Sequence, residues 1–454
     1  MKYAIFALVA GLGVPVMTAL AVGSERWRGR LLSLTIFMTA VGGPTKLNFV
    51  SMETYRGPDR GFEVTLVDLI AFSLVLALLL KGPGRLCWLP YNSIWMVLGL
   101  LVAVISSAGA PQPLYAAFTL FKLLRLYLLY WCVVNCLRTG TDRHYVWLGF
   151  VAVGLFVTAL AAQQKFLQGI YRVVGPFDAP NTIPLYLNQV LSMLLLWGLC
   201  DTRLSPRQVL LSVAVTLGML FSVVATFSRA GTALAAAGLL GALLLANVRR
   251  RSARVSLATL LIVLLMLGGA ARAAGSFIQR IQSAPKESAG AREEFDYAAA
   301  LMARDHPVFG VGLNNFSYVL TTTPKYNEHI RIMADEKQAG VAHHIYRLVW
   351  AETGAAGLLV FVAIILRFWW LAGRAGWHAR SLEEILLVGL CLGATTLHLS
   401  GFLEWVFRIT PVSYMFFVTS AVTVGLAEAL RGHPARAAKA RPAARLVAAQ
   451  RGGR

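Results

Sequence analysis

Five side chains have the types and spacing for polar chemistry: the neighbours His343 and His344, and the arginines Arg292, Arg229 and Arg172. An imidazole, with a pKa near ~6.5, accepts a proton at neutral pH. A guanidinium offers a planar fork of donors that suits a phosphate or another anion. Adjacent residues on a helix point about 100° apart, so only one of the two histidines faces a given pocket. Each residue also has a plainer reading. Arg229 lies between two apolar runs; a charge facing lipid there costs ~2.5–3.5 kcal/mol, so it either snorkels to the interface or serves an anion site. Arg292, in Ala291-Arg292-Glu293-Glu294-Phe295-Asp296, either pairs locally on an exposed helix or binds an anion. The histidines are otherwise ordinary interfacial polar groups. Glu294-x-Asp296 is a weak metal signal, without Asp-x-Asp or an i,i+4 His-Glu pair, and neither a metal nor a cofactor is expected. His306-Pro307-Val308-Phe309-Gly310-Val311-Gly312 reads as a turn whose glycines allow close backbone approach, not as a phosphate loop.

The elements that must position these groups are almost all apolar. The chain of 454 residues is 57% hydrophobic and 14% charged, with mean hydropathy +0.64, well short of the roughly quarter share of charge in soluble domains. Apolar runs near the ~18 residues needed to cross a bilayer occur at 3–23, 31–45, 64–80, 91–108, 115–137, 145–165, 183–200, 208–226, 230–246, 255–274, 349–371, 383–402 and 411–430. That predicts an all-α polytopic membrane protein of about 12–13 transmembrane helices with one large loop domain. The division is 1–274 for the N-terminal helices, 275–347 for the large loop carrying the motifs, 348–430 for the C-terminal helices and 431–454 for a basic tail. The tail, rich in Ala, Arg and Pro from His433, reads as disordered and lipid-associated.

The net charge of +21 is carried mostly by loops: Arg26, Arg28 and Arg30; Lys81 and Arg85; Arg138 and Arg143; Arg203 and Arg207; Arg249 to Arg251; Arg374 and Arg380; then the tail. Their recurrence at every second loop is a topology signal, with contact to anionic membrane lipids and no nucleic-acid partner. It predicts the N-terminus outside and the C-terminus in the cytoplasm. Ala19-Leu20-Ala21 resembles a cleavage site, but Lys2 alone precedes the first span and three arginines follow it, so an uncleaved helix is expected. None of the five cysteines falls in the large loop, which implies no disulfide framework; Cys132 and Cys136 read as packing residues. Lys122 and Arg125 are charges within a span that either snorkel or line a polar path.

Several phrases converge in order: Phe227-Ser228-Arg229-Ala230-Gly231, His306 to Gly312, Ala342-His343-His344-Ile345-Tyr346, and Ala351-Glu352-Thr353-Gly354-Ala355-Ala356-Gly357. Together they resemble the bacterial O-antigen ligase and O-antigen polymerase family, with a family-like core over about 175–430. The resemblance implies a glycosyltransferase of the inner membrane, multi-pass, with its active site facing the periplasm. It implies transfer from an undecaprenyl pyrophosphate-linked glycan donor to lipid A-core or to a lipid-linked glycan acceptor, without metal. It implies Arg229 and Arg292 as pyrophosphate contacts, with Arg172 as a further one, and a histidine base. His343 takes the family's histidine position and His344 stands where the family has Asn, so the base is one of these two. The 48–63 loop and Glu404-Trp405-Val406-Phe407-Arg408 are expected to shape the acceptor side, with a lean towards exopolysaccharide. The competing classes are a lipid-linked glycan transporter or flippase, and a non-catalytic partner in an export complex.

Overall fold

A computed structural model describes residues 2–282, 286–328, 330 and 340–431. The expected basic tail beyond Arg431 lies outside the described residues. In chain order the elements are α1 (Lys2–Leu8), running through a π turn into α2 (Val14–Gly23), α3 (Glu25–Thr45), β1 (Leu47–Ser51), β2 (Gly61–Val64), α4 (Leu66–Lys81), α5 (Ser93–Ala108), α6 (Pro113–Arg138) and α7 (His144–Ala162). There follow α8 (Thr182–Cys200), α9 (Pro206–Ala225), α10 (Arg229–Arg249), α11 (Ala253–Gln282), α12 (Lys286–Asp305), α13 (Phe316–Thr322), α14 (Pro324–Asn327), α15 (Ile345–Gly376), α16 (Leu382–Ser400) and α17 (Thr410–Arg431).

The fold is an all-α membrane bundle. Among the described residues nine helices are long and apolar enough to cross a membrane. The four remaining expected spans are also helical, as α3, α4, α5 and α11. Both α4 and α5 have 16 residues, about 24 Å at 1.5 Å per residue and short of a ~30 Å hydrocarbon core. The charged first turn of α3 and the polar end of α11 shorten their apolar stretches. In lipid a helix satisfies every backbone group internally, which is why apolar composition and helix coincide here. Helix starts follow local chemistry. At α16 the Ser381 hydroxyl accepts the Glu384 N–H at 3.2 Å and Glu384 Oε2 accepts the Ser381 N–H at 2.8 Å, satisfying two otherwise orphaned donors. The centre of the bundle is α8, buried along its whole length between α9, α10 and α16. Among the described residues the only strands are β1 and β2, an antiparallel pair with Leu47 opposite Val64.

The two ends of the bundle differ in charge. At one end the basic loops meet: Lys81 reaches Glu25 at 3.6 Å, Arg28 donates to Thr141 at 3.1 Å, Arg138 pairs with Glu428 at 3.1 Å, and Arg143 pairs with Glu383. At the other end lie the β hairpin, the turn before α8, the α9–α10 corner, α12 to α14 with residues 340–344, and the 401–409 loop. This segregation accords with the every-second-loop pattern of Lys and Arg. Lys122 and Arg125, both within α6, neither snorkel nor stand free. Lys122 Nζ lies 2.9 Å from Asp59 Oδ1, and Arg125 Nη1 lies 2.5 Å from Asp68 Oδ2.

Two of the glycine-bearing phrases turn out to be halves of one joint. Helix α15 breaks at Gly354, whose φ of 66° and ψ of −170° are non-helical. The His306–Gly312 turn fills the break: Pro307 O accepts the Ala355 N–H at 2.8 Å, and the Val311 and Gly312 N–H groups donate to Ala351 O and Glu352 O at 2.9 and 3.0 Å. The backbones lie so close that a Cβ on Gly354 would sit 2.1 Å from Val308, and one on Gly310 would sit 2.4 Å from Glu352. Both glycines also have positive φ, a region where a side chain is strained.

Gly354→Ala is therefore expected to cost about 2–4 kcal/mol. Gly268→Ala, on a helix where an added Cβ meets nothing within 4 Å, should be neutral or slightly stabilising. Thermal melts of the two purified variants in detergent check this contrast.

Candidate active site

The helix α12 carries Arg292 and Asp296 one turn apart. It forms because Phe295, Ala298, Ala299 and Met302 make a buried stripe at helical spacing, and that stripe packs the helix against α15. Helix α15 begins at Ile345, whose N–H donates to Gly401 O at 2.9 Å. The start of α15 is thus tied to the 401–409 loop, and the arginine face, the histidine pair and that loop converge.

At the convergence sits Glu404. Its Oε1 accepts from Arg292 Nη2 at 3.0 Å and from Asn181 Nδ2 at 2.7 Å. Its Oε2 lies 3.5 Å from His343 Nδ1. Asn181 Oδ1 in turn accepts from Arg172 Nη2 at 3.1 Å, and Arg172 Nε donates to Thr226 O at 2.9 Å. One carboxylate therefore joins Arg292 and His343 directly and Arg172 through Asn181. Burial pushes the Glu404 carboxyl up, but the neighbouring His343 imidazole, the Arg292 guanidinium and the Asn181 amide outweigh it and hold it below its ordinary range.

The remaining arginine is at the same corner by backbone, not by side chain. Arg229 is the first residue of α10, behind Ser228, whose hydroxyl accepts the Gly231 N–H. Phe227 takes a positive φ of 54° and stacks on Tyr171, with Lys165 over both rings. Arg172 is anchored to Thr226 of this corner, three residues before Arg229. Arg229 is exposed and has no acidic partner among the described residues. An exposed guanidinium beside a helix N-terminus is a place where an anion is welcome.

The two histidines do different things. His344 is the N-cap of α15: its Nδ1 accepts the Arg347 N–H at 3.4 Å. That fixes its proton on Nε2 and occupies the other nitrogen. Burial lowers its pKa, against the pull of Asp296, and its ring lies edge-on to Phe402 and Tyr346. Asp296 pairs instead with Arg347 at 3.4 Å, and burial raises its carboxyl above the ordinary range. His343 Nδ1 faces Glu404 Oε2 at 3.5 Å, longer than an ordinary hydrogen bond; the orientation, with the carboxylate nearer Nδ1, is the one that favours the proton on that nitrogen.

Sequence reasoning singled out His343, His344, Arg292, Arg229 and Arg172, and left open whether Arg229 and Arg292 meet in space. It put Glu404 on the acceptor side and did not see it as the partner of His343. The signal was there in part, since Glu404 is the sole acidic residue between two apolar spans. Asn181 was missed. Beginning at Ile345, two residues along the chain from His343, a crevice of about 170 Å³ opens between α5, α6, α15 and α17, lined mainly by apolar side chains such as Leu100, Val349 and Phe361, with Asp59, Lys122 and Arg408 also in its wall. Among the described residues no group of three or more His, Cys, Asp or Glu is placed to hold a metal ion.

Residues 214–362 match the family model described as O-antigen ligase. This match supports the O-antigen ligase and polymerase family reached from the motifs. It spans α9 to the first half of α15, so Arg229, Arg292, His343 and His344 lie inside the O-antigen ligase match, and Arg172 and Glu404 lie outside it. No curated protein matches the chain.

The lowered Glu404 pKa has a sign. A carboxyl with a depressed folded pKa contributes stability that is present above the unfolded value, near ~4.3, and lost as pH falls through the folded value. The wild type should be more stable than Glu404→Gln at pH 6, and the gap should close as acid is added. Melting points of both proteins across the acid range test it.

Proposed function

We propose that this protein is a metal-independent, inverting glycosyltransferase that moves a glycan from undecaprenyl pyrophosphate to an acceptor hydroxyl at the periplasmic face of the bacterial inner membrane. The O-antigen ligase match supplies the coarse class. The observation that carries the finer reading is the Glu404 carboxylate joining a guanidinium and an imidazole, with a mainly apolar crevice starting at Ile345, two residues along the chain from His343. That arrangement suits a substrate that is anionic at the interface and hydrocarbon in the membrane.

In this reading Arg229, Arg292 and Arg172 hold the pyrophosphate and stabilise the charge that develops on it as it leaves. His343 Nε2 takes the proton of the acceptor hydroxyl. The freed oxygen attacks the anomeric carbon, the bond from that carbon to the pyrophosphate oxygen breaks, and undecaprenyl pyrophosphate departs. A single displacement inverts the anomeric centre. Glu404 holds the imidazole in the accepting tautomer and faces the imidazolium that forms, the role a carboxylate plays behind many catalytic histidines. His344, with Nδ1 already engaged in capping, is left out of the proton transfer. Neither metal nor nucleotide is required by these steps. The acceptor is lipid A-core for a ligase, or a second lipid-linked glycan for an O-antigen or exopolysaccharide polymerase.

The test is transfer by purified protein from undecaprenyl pyrophosphate-linked glycan, with lipid A-core in one tube and donor alone in the other. A single new product on lipid A-core marks a ligase, and a ladder from donor alone marks a polymerase. His343→Ala should lose at least about 100-fold in either. His344→Ala should stay within about tenfold, with about 1 kcal/mol lost from the α15 cap. Arg229→Ala should raise the donor KM. Full transfer by His343→Ala would overturn the assignment, and movement of the lipid across vesicles without a new glycosidic bond would favour a transporter.

A further inference from the structure

A second charged cluster lies beneath the first, and no step above uses it. It comprises Asp59 from the segment between β1 and β2, Lys122 of α6, Glu352 at the break of α15, and Arg408 of the turn after Glu404. All four side chains are at most 6% exposed. Lys122 Nζ reaches Asp59 Oδ1 at 2.9 Å and Arg408 O at 2.8 Å. The Thr119 hydroxyl donates to the other Asp59 oxygen at 2.5 Å. Arg408 Nη1 lies 3.9 Å from Asp59 Oδ2, and Arg408 Nη2 donates to Glu352 Oε2. Two cations and two anions cancel, which is the condition under which such charges are tolerated at membrane depth.

The connectivity of this cluster is what matters. Glu352 follows His343 by nine residues, about 13 Å of helix. Arg408 follows Glu404 by four, in a turn closed by the Arg408 N–H on Trp405 O at 2.8 Å. The same two chain segments therefore meet twice, as His343 with Glu404 at the interface and as Glu352 with Arg408 below. Between these contacts Ile345 N–H bonds Gly401 O. A pair of rods joined at both ends cannot slide, so the lower junction sets the separation at the upper one. The Glu352 backbone is itself held by the Gly312 N–H and by the Ser106 hydroxyl, which donates to Glu352 O at 2.7 Å. The junction has a firm base.

We propose that Glu352 and Arg408, seated by Asp59 and Lys122, are positioning residues that fix His343 against Glu404 for transfer. Asp59, Lys122 and Arg408 also line the crevice between α5, α6, α15 and α17, but the role proposed for Glu352 and Arg408 is exerted through the imidazole. The claim rests on the transferase reading for its kinetic arm only. Misplacement of a catalytic group by an ångström costs up to about 100-fold in rate, while the arginines that hold the donor sit on other elements. Glu352→Gln, Arg408→Gln and Arg408→Lys should thus lower kcat by roughly 10- to 100-fold, a larger change than any in the donor KM. The double Glu352→Gln/Arg408→Gln should be no worse than its worse single, since both report one contact. Arg408→Lys keeps the buried charge and loses only the fork, so it reads the same way if a glutamine variant fails to fold.

A second arm needs no transfer. The side-chain 15N resonances of His343 should shift in Arg408→Lys and stay in place in Glu383→Gln, a change at the opposite end of the bundle. Wild-type kcat in folded Arg408→Lys, a raised KM at unchanged kcat, or an unmoved His343 resonance would overturn the proposal. Absence of transfer by the wild type would sink the transferase reading instead, and the resonance arm would still decide this one.

Discussion

The structure at its polar end depends on one carboxylate. Glu404 sits between a guanidinium and an imidazole that belong to different elements, and an amide side chain completes its shell. Its side chain is 12% exposed, so the charge is tolerated only because its partners come to it. Removing a partner leaves Glu404 short of compensation, a cost tempered here because the Arg292 side chain is 40% exposed. That penalty couples the docking of α12, the start of α15 and the turn before α8. None of these can drift alone without exposing Glu404 to an unfavourable environment.

The remaining architecture can be understood as a means of holding those elements still within lipid. Hydrocarbon offers no hydrogen bonds, so a helix interrupted at membrane depth must recover its freed groups from protein. Helix α15 does this at Gly354 by borrowing the His306–Gly312 turn as a substitute turn of backbone. The interruption brings Glu352 to face Arg408, and neutral pairing makes the charge acceptable there. Chemistry at the surface and strain in the core are linked by the same stretch of chain.

Much of this was legible in the sequence because it is local. Apolar runs of the right length mark helices, and each of the thirteen expected spans is helical. Alternating clusters of Arg and Lys separate the two ends, and histidines and arginines in a polar loop stand out against an apolar background. What escaped is contact between distant positions. Nothing near His343 announces Glu404, and nothing near Lys122 announces Asp59, which lies in a loop of mixed charge. The roles of adjacent histidines were equally hidden, because an N-cap is defined by where the helix begins, and that depends on the Ile345–Gly401 bond. The glycine phrases were visible as turns, but their mutual fit is a property of packing that neither phrase contains.

The central claim is that Glu404 holds the His343 proton on Nδ1 and leaves Nε2 free to accept another. Side-chain 15N spectroscopy of histidine-labelled protein measures this directly, with His343→Gln used to assign the signal. An Nδ1–H tautomer at neutral pH is expected, lost or mixed in Glu404→Gln. An Nε2–H tautomer in the wild type, or one indifferent to Glu404→Gln, would contradict it.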